Sequence, residues 1–126
     1  MEYNYTPNGT IQVRDELKAY SLDTFMALPY PKPECLLGDL LMANSINMLF
    51  AARGIGKTQF SLAASLAVAS GTAFGPWQAE EAYPVLYLDG EMPAYQMQQR
   101  VQSMLGNNPI PSNFYYWGFF VPKYYL

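Results

Sequence analysis

The sequence predicts an α/β fold, with a mostly parallel sheet layered between helices in three αβα layers. Three observations carry that expectation. A glycine-rich octet, Ala51-Ala52-Arg53-Gly54-Ile55-Gly56-Lys57-Thr58, sits between an apolar run and an Ala/Leu-rich segment. A second apolar run, Pro84 to Asp89, follows that segment. A third, aromatic run from Phe114 to Phe120 follows another helical segment. Strand and helix patterns that alternate in this way form βαβ units, whose strands lie parallel in one sheet.

Composition bounds the possibilities. The 126 residues, half of them apolar, suffice for one hydrophobic core and are too few for two ordinary domains. Seven basic against ten acidic residues leave a net charge of −3, which argues against a broad nucleic-acid footprint in this segment. With no histidine there are no His-based triads or His metal ligands, and the lone Cys35 forms neither an internal disulfide nor a multi-cysteine zinc site. The N-terminus lacks the layout of a signal peptide, and the apolar helix after the octet is too short and too serine-interrupted to span a bilayer. A cytoplasmic protein with no membrane partner is the expectation.

In chain order, residues 1–10 are polar, aromatic and turn-prone, and read as a loosely ordered arm. Leu17, Leu22, Phe25, Met26 and Leu28 recur at roughly helical spacing, which predicts a short helix or two between Asp15 and Leu28. Leu28-Pro29-Tyr30-Pro31-Lys32-Pro33 removes donors and disfavours helix before each proline, so an extended linker follows. The boundary expected here divides an arm and linker, 1–33, from a core, 34–126. Cys35 to Leu41 leads into the core as a strand or turn, and Ile46 to Ala51 reads as a buried strand.

Thr58 to Ser70 is apolar almost all round, which predicts a core helix that stops at Gly71. Gly71 to Tyr83 reads as a loop with a solvated Glu80-Glu81 edge. Pro84 to Asp89 reads as a strand buried on both faces. Pro93 suits the first turn of a helix running to Leu105, with Met97, Val101, Met104 and Leu105 inward and Gly106 as its stop.

The octet has the form of a phosphate-binding loop, with Ala51 at the first glycine position. By chance such a pattern arises in a chain of this length roughly once in a hundred. Gly54 and Gly56 let the backbone curl with N–H groups inward, Lys57 supplies a mobile cation, and the Thr58 hydroxyl is suited to Mg²⁺. Ala51, Ala52, Arg53, Ile55 and Gln59 complete the cradle and the start of its helix. In open α/β sheets ligands sit beyond the carboxyl ends of the strands, so Asp89 and Glu91 should face the same site. A carboxylate there can hold Mg²⁺ or orient the attacking water; Asp89 is the candidate for the metal and Glu91 for the water.

These residues, taken with Val85-Leu86-Tyr87-Leu88-Asp89-Gly90-Glu91-Met92-Pro93 and a helix bearing Arg100, resemble the bacterial RepA-like ATPases of the RecA/DnaB superfamily. The resemblance covers about Leu36 to Leu105. It implies a RecA-like P-loop NTPase fold, binding of ATP with Mg²⁺, Glu91 and Lys57 as catalytic residues, and a replication-associated ATPase or helicase role. It also implies a homo-oligomeric ring in full-length relatives, with DNA contacts through regions this sequence lacks. A RecA-like core needs a further aspartate-ended strand, and none is found after Phe120, so the expectation is the N-terminal half of a domain or a truncated product. A non-hydrolysing nucleotide-binding or interaction protein is the competing reading. A small-molecule P-loop kinase is a third, disfavoured by the few arginines. The C-terminal aromatics lack interleaved Lys or Arg, and read as strand core rather than as a stacking platform for bases.

Overall fold

The computed structural model describes residues 3–5, 11–13 and 19–118. The chain divides into two compact units, 1–32 and 33–126.

In the first unit, Tyr3–Tyr5 (β1) pairs antiparallel with Ile11–Val13 (β2), Tyr3 opposite Val13. The turn-prone composition of residues 1–10 did not predict this hairpin; the remainder of that arm lies outside the described residues. Of the short helix or two expected between Asp15 and Leu28, the described residues show Leu22–Ala27 (α1), and 14–18 lie outside the described residues. Ser21 precedes α1 in extended conformation, and its carbonyl accepts the Phe25 N–H at 2.9 Å. Pro29 forces Leu28 out of the helical region, to φ −74° and ψ 133°, and ends the element there. No residue of α1 is buried.

The second unit is organised around Lys57–Ser70 (α2). Two short antiparallel hairpins cover one side of it: Cys35–Leu37 (β3) with Leu41–Met42 (β4), and Ala73–Phe74 (β5) with Trp77–Gln78 (β6). The second hairpin falls in the stretch expected to be loop. Two residues per strand are too few for alternation to show in sequence. Leu37, Ala64, Ala67, Val68 and Ala79 form the buried cluster on this side, with Phe74 and Trp77 packed against it. Glu80 and Glu81 are exposed, as expected.

On its other side α2 packs against a parallel strand pair, Val85–Asp89 (β7) and Phe114–Gly118 (β8), joined through the helix Ala94–Leu105 (α3). Val85 stands opposite Phe114 and Asp89 opposite Gly118. Leu62, Leu66, Met97 and Leu105 make the second buried cluster, joined by Val101 and Met104, so the inward face of α3 is the one its periodicity predicts. Pro93 takes the N-cap position, one residue before the helical turn expected for it. An α2 that is apolar all round is the consequence of having a cluster on each side.

Two expectations fail. Ile46 to Ala51 forms no strand: the segment pairs with none of the described strands, and Ile46, Met48 and Phe50 are exposed. A strand's N–H and C=O groups are satisfied only by a neighbour, so an apolar run without one stays irregular however strand-like its composition. The layering also differs. Val85 and Tyr87 of β7 face the helices, whereas Leu86 and Leu88 are about two-thirds exposed, at 65% and 66%. Among the described residues the β7/β8 pair is thus covered on one face, and β7 is not the doubly buried strand expected. The fold class is α/β with one parallel pair. The last two residues of the aromatic run, Phe119 and Phe120, lie outside the described residues. Among the described residues no helix is long and apolar enough to cross a membrane.

Candidate functional site

The octet forms the turn that leads into α2. Gly54 and Gly56 stand at φ 84° and 103°, a region that residues with a Cβ rarely adopt, and Gly56 is the N-cap of α2. No side chain caps this helix and no acidic residue occupies its first turn, so the leading N–H groups and the positive end of the dipole are left to an external acceptor. The Lys57 ammonium folds back and donates to the carbonyl oxygens of Ala51, at 2.7 Å, and Ala52, at 3.0 Å. Those bonds hold the loop closed around its own cation, and an anion entering the turn exchanges them for charge-assisted ones.

Arg53, Gly54, Gly56, Lys57, Thr58 and Gln59 line a cavity of about 640 Å³ together with Glu91 and Arg100. Three cations thus meet a single carboxylate in a chain whose net charge is negative. The structure brings the loop, Arg53 included, and Glu91 to one cavity, and adds Arg100 from α3. Ala51, Ala52 and Ile55 lie outside the lining; the first two act through their carbonyls.

Asp89 is also outside the lining. Its Oδ1 accepts the Glu91 N–H at 3.0 Å, and its Oδ2 accepts the Met92 N–H at 3.1 Å and the Tyr116 hydroxyl at 3.3 Å. These two backbone donors and the phenol turn the Asp89 carboxylate toward its own chain.

Two tyrosines tie β7 and β8 to the site. The Tyr87 hydroxyl lies 3.0 Å from Ser61 Oγ, which donates to the Thr58 carbonyl at 3.1 Å, so β7 is bonded to the first turn of α2. Tyr116, opposite Tyr87 in the ladder, reaches Asp89. Burial first, and then the Asp89 charge and hydrogen bond, push the Tyr116 hydroxyl above its ordinary pKa, so it stays a donor. Sequence reasoning did not single out Tyr87, Ser61 or Tyr116. The available signal was the two-residue alternation that sets Tyr87 and Asp89 on one face of β7, with Tyr116 and Gly118 on the same face of β8.

A family model described as an AAA domain matches residues 13–120, most of the chain. The protein belongs to the AAA domain family. No curated protein and no solved structure matches it. Membership makes this an AAA-type P-loop ATPase chain, from a family that binds nucleotide and generally uses ATP and Mg²⁺. The cavity of this AAA domain fits such a group: glycines at positive φ, an uncapped helix start, three cations and the Thr58 hydroxyl share its lining.

Proposed function

We propose that this AAA domain binds Mg·ATP in the cavity between the 51–58 loop and Glu91, as part of a RepA-like ATPase of the RecA/DnaB superfamily that serves replication. The observation that supports it is the meeting of the loop and Glu91 across one cation-rich cavity. Backbone N–H groups of the loop and the Lys57 ammonium hold the β- and γ-phosphates, with Arg53 and Arg100 adding positive potential. The Thr58 hydroxyl is the protein's ligand for Mg²⁺, which neutralises charge on the phosphates when bound. Glu91, which lines the same cavity as Lys57, accepts the hydrogen bond that orients the attacking water. Asp89 supports Glu91 rather than the metal. Assembly into a ring and contact with DNA belong to the same reading.

The experiment is a Mg·ATP titration followed by a phosphate-release assay. Lys57→Ala should weaken binding roughly a hundredfold, the worth of charge-assisted hydrogen bonds to phosphate. Glu91→Gln should leave affinity within about twofold and lower turnover by a factor of 10² or more, on the scale of a lost general base. Unchanged affinity in Lys57→Ala would reject the site. A non-hydrolysing nucleotide-binding protein is the second reading, favoured by the commitment of Asp89 to backbone donors. It predicts tight binding with no phosphate release at any protein concentration.

A further inference from the structure

Glu91 stands on an exposed loop between β7 and α3, and nothing in its own side chain explains why it should keep one position. Its backbone is held instead. Asp89 grips the N–H groups of Glu91 and Met92 with one oxygen each, and the oxygen that holds Met92 also takes the Tyr116 hydroxyl. Asp89 is paired with Gly118 in the ladder, and Tyr116 lies two residues earlier on the same face, so its ring must lean along β8 and pass over Gly118 to arrive. A methyl group at 118 would sit 2.8 Å from Tyr116 Cζ and 3.1 Å from Cε1, and closer still to the hydroxyl. Only glycine leaves that path open.

We propose that Tyr116 is a positioning residue for Glu91, acting through the Asp89 carboxylate, with Gly118 as the gap that admits its hydroxyl. The ring alone would serve as core, packed beside Leu62, Leu66 and Met97, and a phenylalanine would do that equally well. The hydroxyl does something more: it orients the carboxylate so that both oxygens face the turn, and thereby sets the backbone from which Glu91 projects into the cavity. What Glu91 then does rests on the phosphate-site reading above; the tether itself does not.

The test separates the two. Amide hydrogen exchange at Glu91 and Met92 is measured by NMR in nucleotide-free protein, for the wild type, Tyr116→Phe, Gly118→Ala and the opposite-face control Tyr115→Phe, and each protein is titrated with Mg·ATP. Tyr116→Phe should speed exchange at Glu91 and Met92 roughly tenfold, the effect of one lost hydrogen bond on a local opening, with Leu66 and Ala67 in α2 unmoved. Gly118→Ala should act in the same direction, and Tyr115→Phe should match wild type. Affinity for Mg·ATP in Tyr116→Phe should stay within about twofold of wild type, because the cradle is untouched. Unaltered exchange at the two amides, acceleration shared equally with Leu66 and Ala67, or a parallel loss of affinity would overturn the proposal. Should Gly118→Ala fail to fold, Tyr116→Phe decides alone. Wild-type protein that binds no Mg·ATP would end the phosphate-site reading, while the exchange rates would still decide the tether.

Discussion

Two apolar segments flank the glycine loop, and they meet opposite fates. Lys57–Ser70 after it forms a fourteen-residue helix with Leu62 and Ala64 to Ala69 largely buried, whereas Ile46 to Phe50 before it stays irregular and exposed. Apolar content does not separate them. A helix closes its hydrogen bonds within itself and needs neighbours only for its side chains, so α2 can gather two small clusters around one element. A strand needs neighbours for backbone and side chains alike. The same lesson repeats within β7, where Tyr87 is packed and Leu88, one residue on, is not.

The largest effect that could break this comparison lies in the packed segment. Leu62→Ala removes a fully buried side chain from the contact of α2 with β7 and α3, and should cost about 3 kcal/mol of stability in a urea titration. A loss below about 1 kcal/mol would mean that the cluster is not the core. A smaller effect comes at alkaline pH. The Tyr83 hydroxyl donates to Glu34, and that bond first, then desolvation and nearby carboxylates, push its pKa up from 10.0 to about 12. The folded state favours the protonated phenol, so this contribution is whole below the unfolded value of 10.0 and is lost as pH rises through about 12. The Tm of wild type should therefore fall more steeply than that of Tyr83→Phe over this window, and parallel curves would remove the bond from the account. The smallest effect belongs to the exposed segment. Ile46→Ser should change stability by no more than about 0.5 kcal/mol, as for an ordinary surface position, and a larger loss would show that the segment is packed in solution.

Much of the lining of the candidate site is legible in the sequence. The loop announces itself because backbone curvature, a cation and a hydroxyl must come at fixed spacing, and Glu91 follows from the rule that ligands gather beyond strand ends. Arg53 was placed with the loop, but Arg100 was visible as a residue and not as lining, since an arginine on a helix surface is solvated unless another element approaches. Tyr116 and Gly118 were silent for a different reason: an aromatic strand reads as core, and only the register with β7 turns one hydroxyl toward Asp89.

By itself the amino-acid order determined the elements whose interactions are local: the glycine turn into α2, the inward stripe of α3, and the stop that Pro29 imposes on α1. Tertiary structure alone decided which apolar runs became strands, which face of β7 was covered, and that Asp89 serves its own backbone. Pairing, burial and side-chain direction depend on groups far apart in the chain, and no short-range pattern encodes what will stand opposite.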